Sequence, residues 1–203
     1  MYVARILYPV RVLGPGERIG IWFAGCEHHC PGCSNPELWK QQPCYETDLS
    51  SVMKLIRLIT DQNKTDGITI TGGDPFYQPG ALRELLGELK EITEDILVYT
   101  GYSFSEIRDT HEDILRNISV LIDGEYIEAE NHGSLLRGSD NQHIIILDEG
   151  IRPVYEQYLA TQKSSIQNFS ASDGSIISVG IHRPKYEEQL LEFSKEKGLE
   201  VIS

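Results

Sequence analysis

The chain has 203 residues, of which 40% are hydrophobic and 24% are charged. This composition is typical of a globular protein, and the length suits one domain of ordinary size. The net charge of -13 argues against nucleic acid as a partner, because nucleic-acid binders carry basic patches. No apolar run approaches the ~20 residues that span a bilayer, and the start lacks the features of a signal peptide. We therefore expect a cytoplasmic protein with no nucleic-acid or membrane partner.

The first two apolar segments predict strands. Residues 3–12 alternate like a short strand, with Pro9 limiting the pairing, and a Gly-Pro-Gly turn follows at residues 14–16. Residues 18–24, RIGIWFA, read as a buried strand. This second strand leads directly into a cysteine-rich loop, at the end of the strand where α/β sheets place their chemistry.

Residues 25–33, GCEHHCPGC, contain three of the four cysteines of the chain. Cys26, Cys30 and Cys33 have the spacing C-x3-C-x2-C, so their thiolates can converge on one inorganic centre. Such a set leaves one metal position without a protein ligand. The pattern therefore favours a 4Fe-4S cluster with one open iron.

Two other interpretations of this loop stay open. The first is a structural zinc site completed by Cys44 or a histidine, although structural zinc usually shows paired C-x2-C halves and only one half is present. The second is three thiols without metal. Within the loop, His28 and His29 are expected to be loop residues rather than ligands. Cys44, beyond the motif, is expected to be a small buried or half-buried thiol.

The middle of the chain alternates between helix-like and strand-like segments. Helical spacing follows a cap at Asp48 or Ser50 and begins again near Pro79 and at Ser103 or Ser105, the last helix running to about Asn117. Strands are predicted at residues 67–71, 96–99, 120–122 and 143–147. This order predicts a parallel sheet with right-handed crossovers, which we interpret as an open, partial parallel α/β barrel.

The pattern changes after residue 148. A helix is predicted at 154–162, two short strands around Asp173 and Gly174, a helix at 185–197 and a strand at 200–202. We assign residues 1–148 to the core and 149–203 to a small C-terminal α+β extension packed on the same domain. The extension is expected either to select a partner or to cover an open face or edge of the sheet.

The cysteine spacing resembles the signature of the radical S-adenosylmethionine (SAM) superfamily. The resemblance implies a fold of the partial-barrel type, in which the three cysteines hold a 4Fe-4S cluster and SAM chelates the fourth iron. Reductive cleavage of SAM then gives methionine and a 5'-deoxyadenosyl radical. The GGD turn resembles the segment that holds the amino group of SAM. The expected SAM contacts are Gly32, Ser34, Gly72, Gly73 and Asp74.

Further segments resemble, in order, those of the small activating enzymes of anaerobic (class III) ribonucleotide reductase. They are the CPGC run and the segments TGY at 100–102, DG at 123–124 and RGSDNQ at 137–142. The resemblance implies a glycyl radical made on a large partner enzyme, with an electron donor such as flavodoxin or ferredoxin. It implies no catalytic side chain beyond the cluster and SAM. Alternatives are a radical SAM enzyme that modifies a peptide or another protein, and a non-enzymatic zinc or electron-transfer module.

Overall fold

The computed structural model describes residues 1–170 and 174–196. Its centre is a six-stranded sheet in which the strands lie in sequence order. The four inner strands pair in parallel, while each outer strand is antiparallel to its neighbour. The strands are β1 (Val3–Val10), β2 (Arg18–Phe23), β3 (Gly67–Gly72), β4 (Ile96–Tyr99), β5 (Val120–Asp123) and β6 (His143–Ile146).

The predicted parallel sheet is therefore right for the middle of the sheet and wrong for its edges. Strands β1 and β2 are joined by residues 11–17, which are too few for the crossover that a parallel pair needs. Strands β5 and β6 are joined by residues 124–142, which contain a 3-10 turn at Glu128–Glu130 but not the helix that usually crosses between parallel strands. The architecture is mixed α/β with a mostly parallel sheet.

Four helices lie on the chain between the parallel strands: α1 (Leu49–Gln62), α2 (Pro79–Leu89), α3 (Phe104–Ile107) and α4 (Glu112–Leu115). Alternate sheet residues pack against their apolar stripes in one buried cluster, which contains Ile19, Ile21, Ile70, Val98, Ile56, Leu82 and Leu86. Because strand side chains alternate between the two faces, the other face of the sheet needs a separate cover.

The predicted caps at Asp48 and Ser103 are confirmed, whereas the length of the helix after Ser103 is wrong. Asp48 caps α1 by accepting a 2.8 Å hydrogen bond from Ser51 N, and Ser103 caps α3 in a capping box with Glu106. The single helix predicted to reach Asn117 is instead two short helices. Between them, the Thr110 hydroxyl donates to the carbonyl of Glu106, and such local side-chain bonds compete with helix continuation.

The C-terminal extension covers the second face of the sheet. It contains α5 (Arg152–Thr161), β7 (Ile166–Ser170), β8 (Ile176–Gly180) and α6 (Tyr186–Glu196), and β7 and β8 form an antiparallel hairpin. Tyr155 is fully buried among sheet residues, and Val179 is buried with Trp22. These contacts favour a cover for an open sheet face. Asp173 and the predicted strand at 200–202 lie outside the described residues.

A buried ion pair closes the amino end of the sheet. Arg18 has no exposed surface and makes two hydrogen bonds to the Asp95 carboxylate, of 2.6 and 3.0 Å. Its Nε donates to Thr69 Oγ1 at 2.7 Å. The Tyr155 hydroxyl donates to Asp95 Oδ1 at 2.8 Å, and burial raises the pKa of Tyr155 so that it stays a donor. The extension is thereby tied into the core.

In the described part of the chain, no helix combines the length and hydropathy that a membrane span requires.

Candidate functional site

The loops at the carboxyl ends of β2, β3, β4 and β5 surround one cavity. Several segments singled out from the sequence meet there, although they are far apart in the chain. The lining includes Cys26, Cys30, Cys33, Ser34, Gly72, Gly73, Asp74, Thr100, Gly101, Gly124, Gly138 and Gln142. Parallel strands bring their carboxyl ends to the same edge of a sheet, which explains this convergence.

Backbone N–H groups surround the three cysteine sulfurs. Cys33 Sγ accepts a hydrogen bond from Asn35 N at 3.4 Å. The backbone N–H groups of His28 and His29 act to lower the pKa of Cys26, and that of Tyr126 acts to lower the pKa of Cys30, against the larger effect of burial. All three are half-buried, and burial raises the pKa of Cys26 to about 11 and raises that of Cys30. N–H donors to sulfur are a feature of iron-sulfur ligands, where they tune the cluster potential.

The spacing of the donor atoms differs from that of a zinc site. Among the described residues, no three His, Cys, Asp or Glu side chains are grouped closely enough to hold one metal ion. A cubane cluster binds each cysteine to a different iron, so its ligands stand farther apart than those of one tetrahedral ion. Cys44, one candidate for a fourth zinc ligand, was expected to be buried or half-buried, and this expectation is wrong. It is exposed in a separate 3-10 turn, Pro43–Tyr45. This arrangement fits a cluster better than structural zinc.

The GGD turn is fastened to the strand that precedes the cysteine loop. Gly73 N donates to Phe23 O, and Asp74 N donates to Gly25 O, both at 2.8 Å. A Cβ on Gly73 would lie 2.5 Å from the carbonyl oxygen of Gly25. Gly72 has φ +121°, a conformation that favours glycine. The turn therefore needs glycine at both positions to lie beside the cysteine loop.

The Asp74 side chain organises the wall of the cavity. It is 1% exposed, and its carboxylate accepts from Phe76 N at 2.8 Å, from Gly101 N at 2.8 Å and from Thr100 Oγ1 at 3.0 Å. These bonds join the GGD turn to the TGY segment. Because the carboxylate already has protein donors on both oxygens, Asp74 positions the neighbouring backbone.

The two loop histidines have different surroundings. His28 Nδ1 lies 3.0 Å from Glu125 Oε1, and Nε2 lies 3.2 Å from Asp74 Oδ2 without the alignment of a hydrogen bond. The nearness of Asp74, and then of Glu125, raises the pKa of His28 to about 9 despite its burial. His29 packs against the Trp39 ring at 4.9 Å between centroids. His28 thus brings a positive charge beside the cysteine loop.

Ser34 and Gly32 lie at the junction with a second, smaller cavity. Ser34 lines both cavities, whereas Gly32 lines only the smaller one. Gly32 has φ +74°, and a Cβ there would lie 2.8 Å from the carboxyl carbon of Glu128. The shape of the loop therefore requires glycine at position 32. Gly32 lies beside the cysteines and does not line the main cavity.

Sequence reasoning missed several lining residues. Tyr126 acts through its backbone N–H, which has no sequence signature, although it lies two residues after the DG segment. The stretch 178–182 in the extension also lines the cavity. Its strand pattern predicts a hairpin but gives no sign of contact with a loop about 150 residues earlier.

Comparisons with known proteins agree with this arrangement. Residues 12–145 match the family model described as "4Fe-4S single cluster domain". The chain is 33% identical over 143 residues to the anaerobic ribonucleoside-triphosphate reductase-activating protein of Escherichia coli K12, covering 66% of this chain and 92% of that protein. The proteins of the same name from Vibrio cholerae and from Enterobacteria phage T4 are 33% and 32% identical, over 68% and 71% of this chain and 93% and 94% of theirs.

These matches define an iron-sulfur protein class with a single 4Fe-4S domain. Within that class, the chain belongs to the family of anaerobic ribonucleoside-triphosphate reductase-activating proteins. The resemblance inferred from the motifs is confirmed.

Proposed function

We propose that this protein is a radical SAM enzyme that generates a glycyl radical on an anaerobic ribonucleotide reductase. In this proposal Cys26, Cys30 and Cys33 hold a 4Fe-4S cluster, and SAM binds at the fourth iron. The observation that carries it is the convergence of the three cysteines and the GGD turn on one cavity. The relatives' printed names supply the partner.

The cavity suits an amphipathic ligand of the SAM type. Six glycines line it, at positions 72, 73, 101, 124, 138 and 180, so a ligand can approach the backbone closely. Apolar surface lies on the same cavity in Leu13, Trp22 and Tyr99. A polar backbone wall fits a methionine amino and carboxylate group, and an apolar surface fits an adenine ring.

Bound there, the reduced cluster and SAM supply the one-electron cleavage that gives methionine and a 5'-deoxyadenosyl radical, which takes the α-hydrogen of a glycine. The chain's own residues hold and shield this chemistry. Backbone N–H groups of His28, His29, Asn35 and Tyr126 stabilise the cysteine sulfurs, and Asp74 fixes the TGY backbone. Of the five expected contacts, Ser34, Gly72, Gly73 and Asp74 line the cavity and are the candidates to contact SAM. Gly32 shapes the cysteine loop beside them. A flavodoxin or ferredoxin is the proposed electron donor.

The proposal is tested under anaerobic conditions with reconstituted, reduced protein. SAM and a purified anaerobic ribonucleotide reductase are added, 5'-deoxyadenosine is measured, and a glycyl radical is sought by electron paramagnetic resonance. We expect 5'-deoxyadenosine in amounts that match the radical. Matched controls omit the partner or replace it with a variant whose radical glycine is alanine.

Three outcomes separate the alternatives. Cleavage of SAM without a radical on the reductase would favour a radical SAM enzyme with a peptide or other protein substrate. Iron-sulfur protein that never cleaves SAM would favour an electron-transfer module. Colourless protein containing zinc would contradict the cluster itself.

A further inference from the structure

The C-terminal hairpin contributes to the cluster cavity as well as to the sheet core. Residues 178–182 line the same cavity as Cys26, Cys30 and Cys33. Within this stretch, Val179 is only 4% exposed and packs in the cluster that contains Trp22. The stretch is therefore a packed wall of the cavity.

This wall lies beyond the family match. The family match ends at residue 145. The E. coli relative is covered over 92% of its length, while 34% of this chain lies outside the match, that is 100% minus 66%. This chain thus closes one side of the cavity with residues beyond the family match.

A buried asparagine connects the wall to Tyr126, which lines the cavity beside the cysteines. Asn131 is 7% exposed, and its Nδ2 donates to His182 O at 2.7 Å and to the Tyr126 hydroxyl at 3.1 Å. Its Oδ1 accepts from Gly133 N at 3.1 Å. Because Tyr126 lines the same cavity as Cys30, Asn131 joins the wall to a residue beside the cysteine loop.

A second polar contact holds the hairpin on the side of β7. Gln167 Oε1 accepts from Arg11 N at 2.9 Å, and its Nε2 donates to Pro9 O at 2.7 Å. Elsewhere the hairpin is loosely covered, since Ile176 is 65% exposed. Elements with few buried contacts open locally at lower free energy than the whole fold. The wall can therefore open while α5, anchored by the buried Tyr155, stays in place.

We propose that residues 178–182 determine what reaches the cluster cavity, with Asn131 as the positioning residue that keeps them closed. The closed wall admits small molecules, whereas a partner must present its glycine on a thin, extended backbone segment or open the wall. This inference rests on the proposed function, because that function requires a protein segment to enter the cavity.

The access claim is tested on reduced, cluster-free protein, so it needs neither SAM nor a partner. Alkylation rates are measured at each cysteine by peptide mass spectrometry, with small iodoacetamide and with bulky fluorescein-5-maleimide. Cys44 is exposed and outside the cavity, so it serves as the internal reference. In the wild type, we expect the three cavity cysteines to react more slowly than Cys44 with both reagents. This difference in rate should be much larger with the bulky reagent than with the small one.

The variant Asn131→Asp removes both Nδ2 donations and keeps the acceptor for Gly133 N. We expect the bulky reagent to react with the cavity cysteines about tenfold faster, equivalent to about 1.4 kcal/mol, while the iodoacetamide rates change little. The matched control is Asn63→Asp, because the Asn63 amide donates to the carbonyl of Ile59 on the exposed end of α1. This control should leave all rates unchanged.

A second variant, Gln167→Ala, releases the hairpin on the β7 side and carries the test if Asn131→Asp does not fold. Its effect should be in the same direction. Equal protection from both reagents in the wild type, or unchanged bulky-reagent rates in both folded variants, would overturn the proposal. Failure of the wild type to cleave SAM would instead contradict the proposed function and leave the access result intact.

Discussion

The two ends of the central sheet both contain buried charge, but they differ in how that charge is satisfied. At the amino end, Arg18 and Asp95 find their partners inside the protein, and Tyr155 and Thr69 complete the network. At the carboxyl end, Asp74 and its neighbours border an open cavity that also receives three cysteine sulfurs.

The comparison shows that buried charge alone does not mark a functional site. A closed network in which every donor has an acceptor holds the β-strands together. Removing one member lowers the stability of the fold, because its partner stays buried without a counter-charge. A cavity bordered by glycine backbone and by sulfur atoms leaves room for a ligand. We therefore expect variants at the amino end to change stability first, and variants at the carboxyl end to change cofactor binding first.

The largest expected effect is loss of the cluster from cysteine variants. Cys26→Ala, Cys30→Ala or Cys33→Ala should each abolish assembly of a SAM-competent cluster, because each removes one of three protein ligands. Iron and sulfide analysis after anaerobic reconstitution measures this, with Cys44→Ala as the control that keeps its iron. Iron retained in Cys30→Ala and lost in Cys44→Ala would reverse the assignment.

Next in size is a loss of stability at the amino end. Arg18→Met should lower the free energy of unfolding of the cluster-free protein by about 3–5 kcal/mol, because Asp95 stays buried without its cation. Urea unfolding followed by circular dichroism measures the change. The control is Arg57→Met, which removes the exposed pair with Glu88 and should have little effect. Similar stabilities for the two variants would contradict the role assigned to the network.

A smaller loss is expected when only one hydrogen bond of that network is removed. Tyr155→Phe deletes the donation to Asp95 and should cost about 1.5–3 kcal/mol, the range for hydrogen bonds to charged groups. The same unfolding measurement applies. Iron content after reconstitution should be unchanged. If Tyr155→Phe kept its stability but lost iron, the assignment of stability to the amino end and cofactor binding to the carboxyl end would be contradicted.

The smallest of these effects on stability is expected at the GGD turn. Gly73→Ala places a Cβ against the Gly25 carbonyl, so the cysteine loop must shift at a cost of about 1–3 kcal/mol. Iron content and SAM affinity should both fall, as measured by iron analysis and equilibrium dialysis. Gly87→Ala is the control, because a Cβ on Gly87 meets nothing within 4 Å. Equal SAM affinity in the two variants would indicate that SAM does not bind at the GGD turn.

The features that the sequence predicted well are local ones. The spacing of Cys26, Cys30 and Cys33 and the GGD turn lie within short stretches, and the helix-strand alternation follows from side-chain periodicity. Pairing direction at β1 and β6 was mispredicted because it depends on connections rather than on periodicity. The N–H of Tyr126 and the wall at 178–182 were missed because backbone donors and distant contacts leave no local pattern.

The most direct test of the cluster and SAM site is electron paramagnetic resonance of the reduced, reconstituted wild-type protein with and without SAM. The account predicts the signal of a reduced 4Fe-4S cluster whose line shape changes when SAM is added, because SAM binds the open iron. The same addition to Gly73→Ala should change the signal less. A cluster signal that SAM leaves unchanged in the wild type would contradict a SAM site on the cluster.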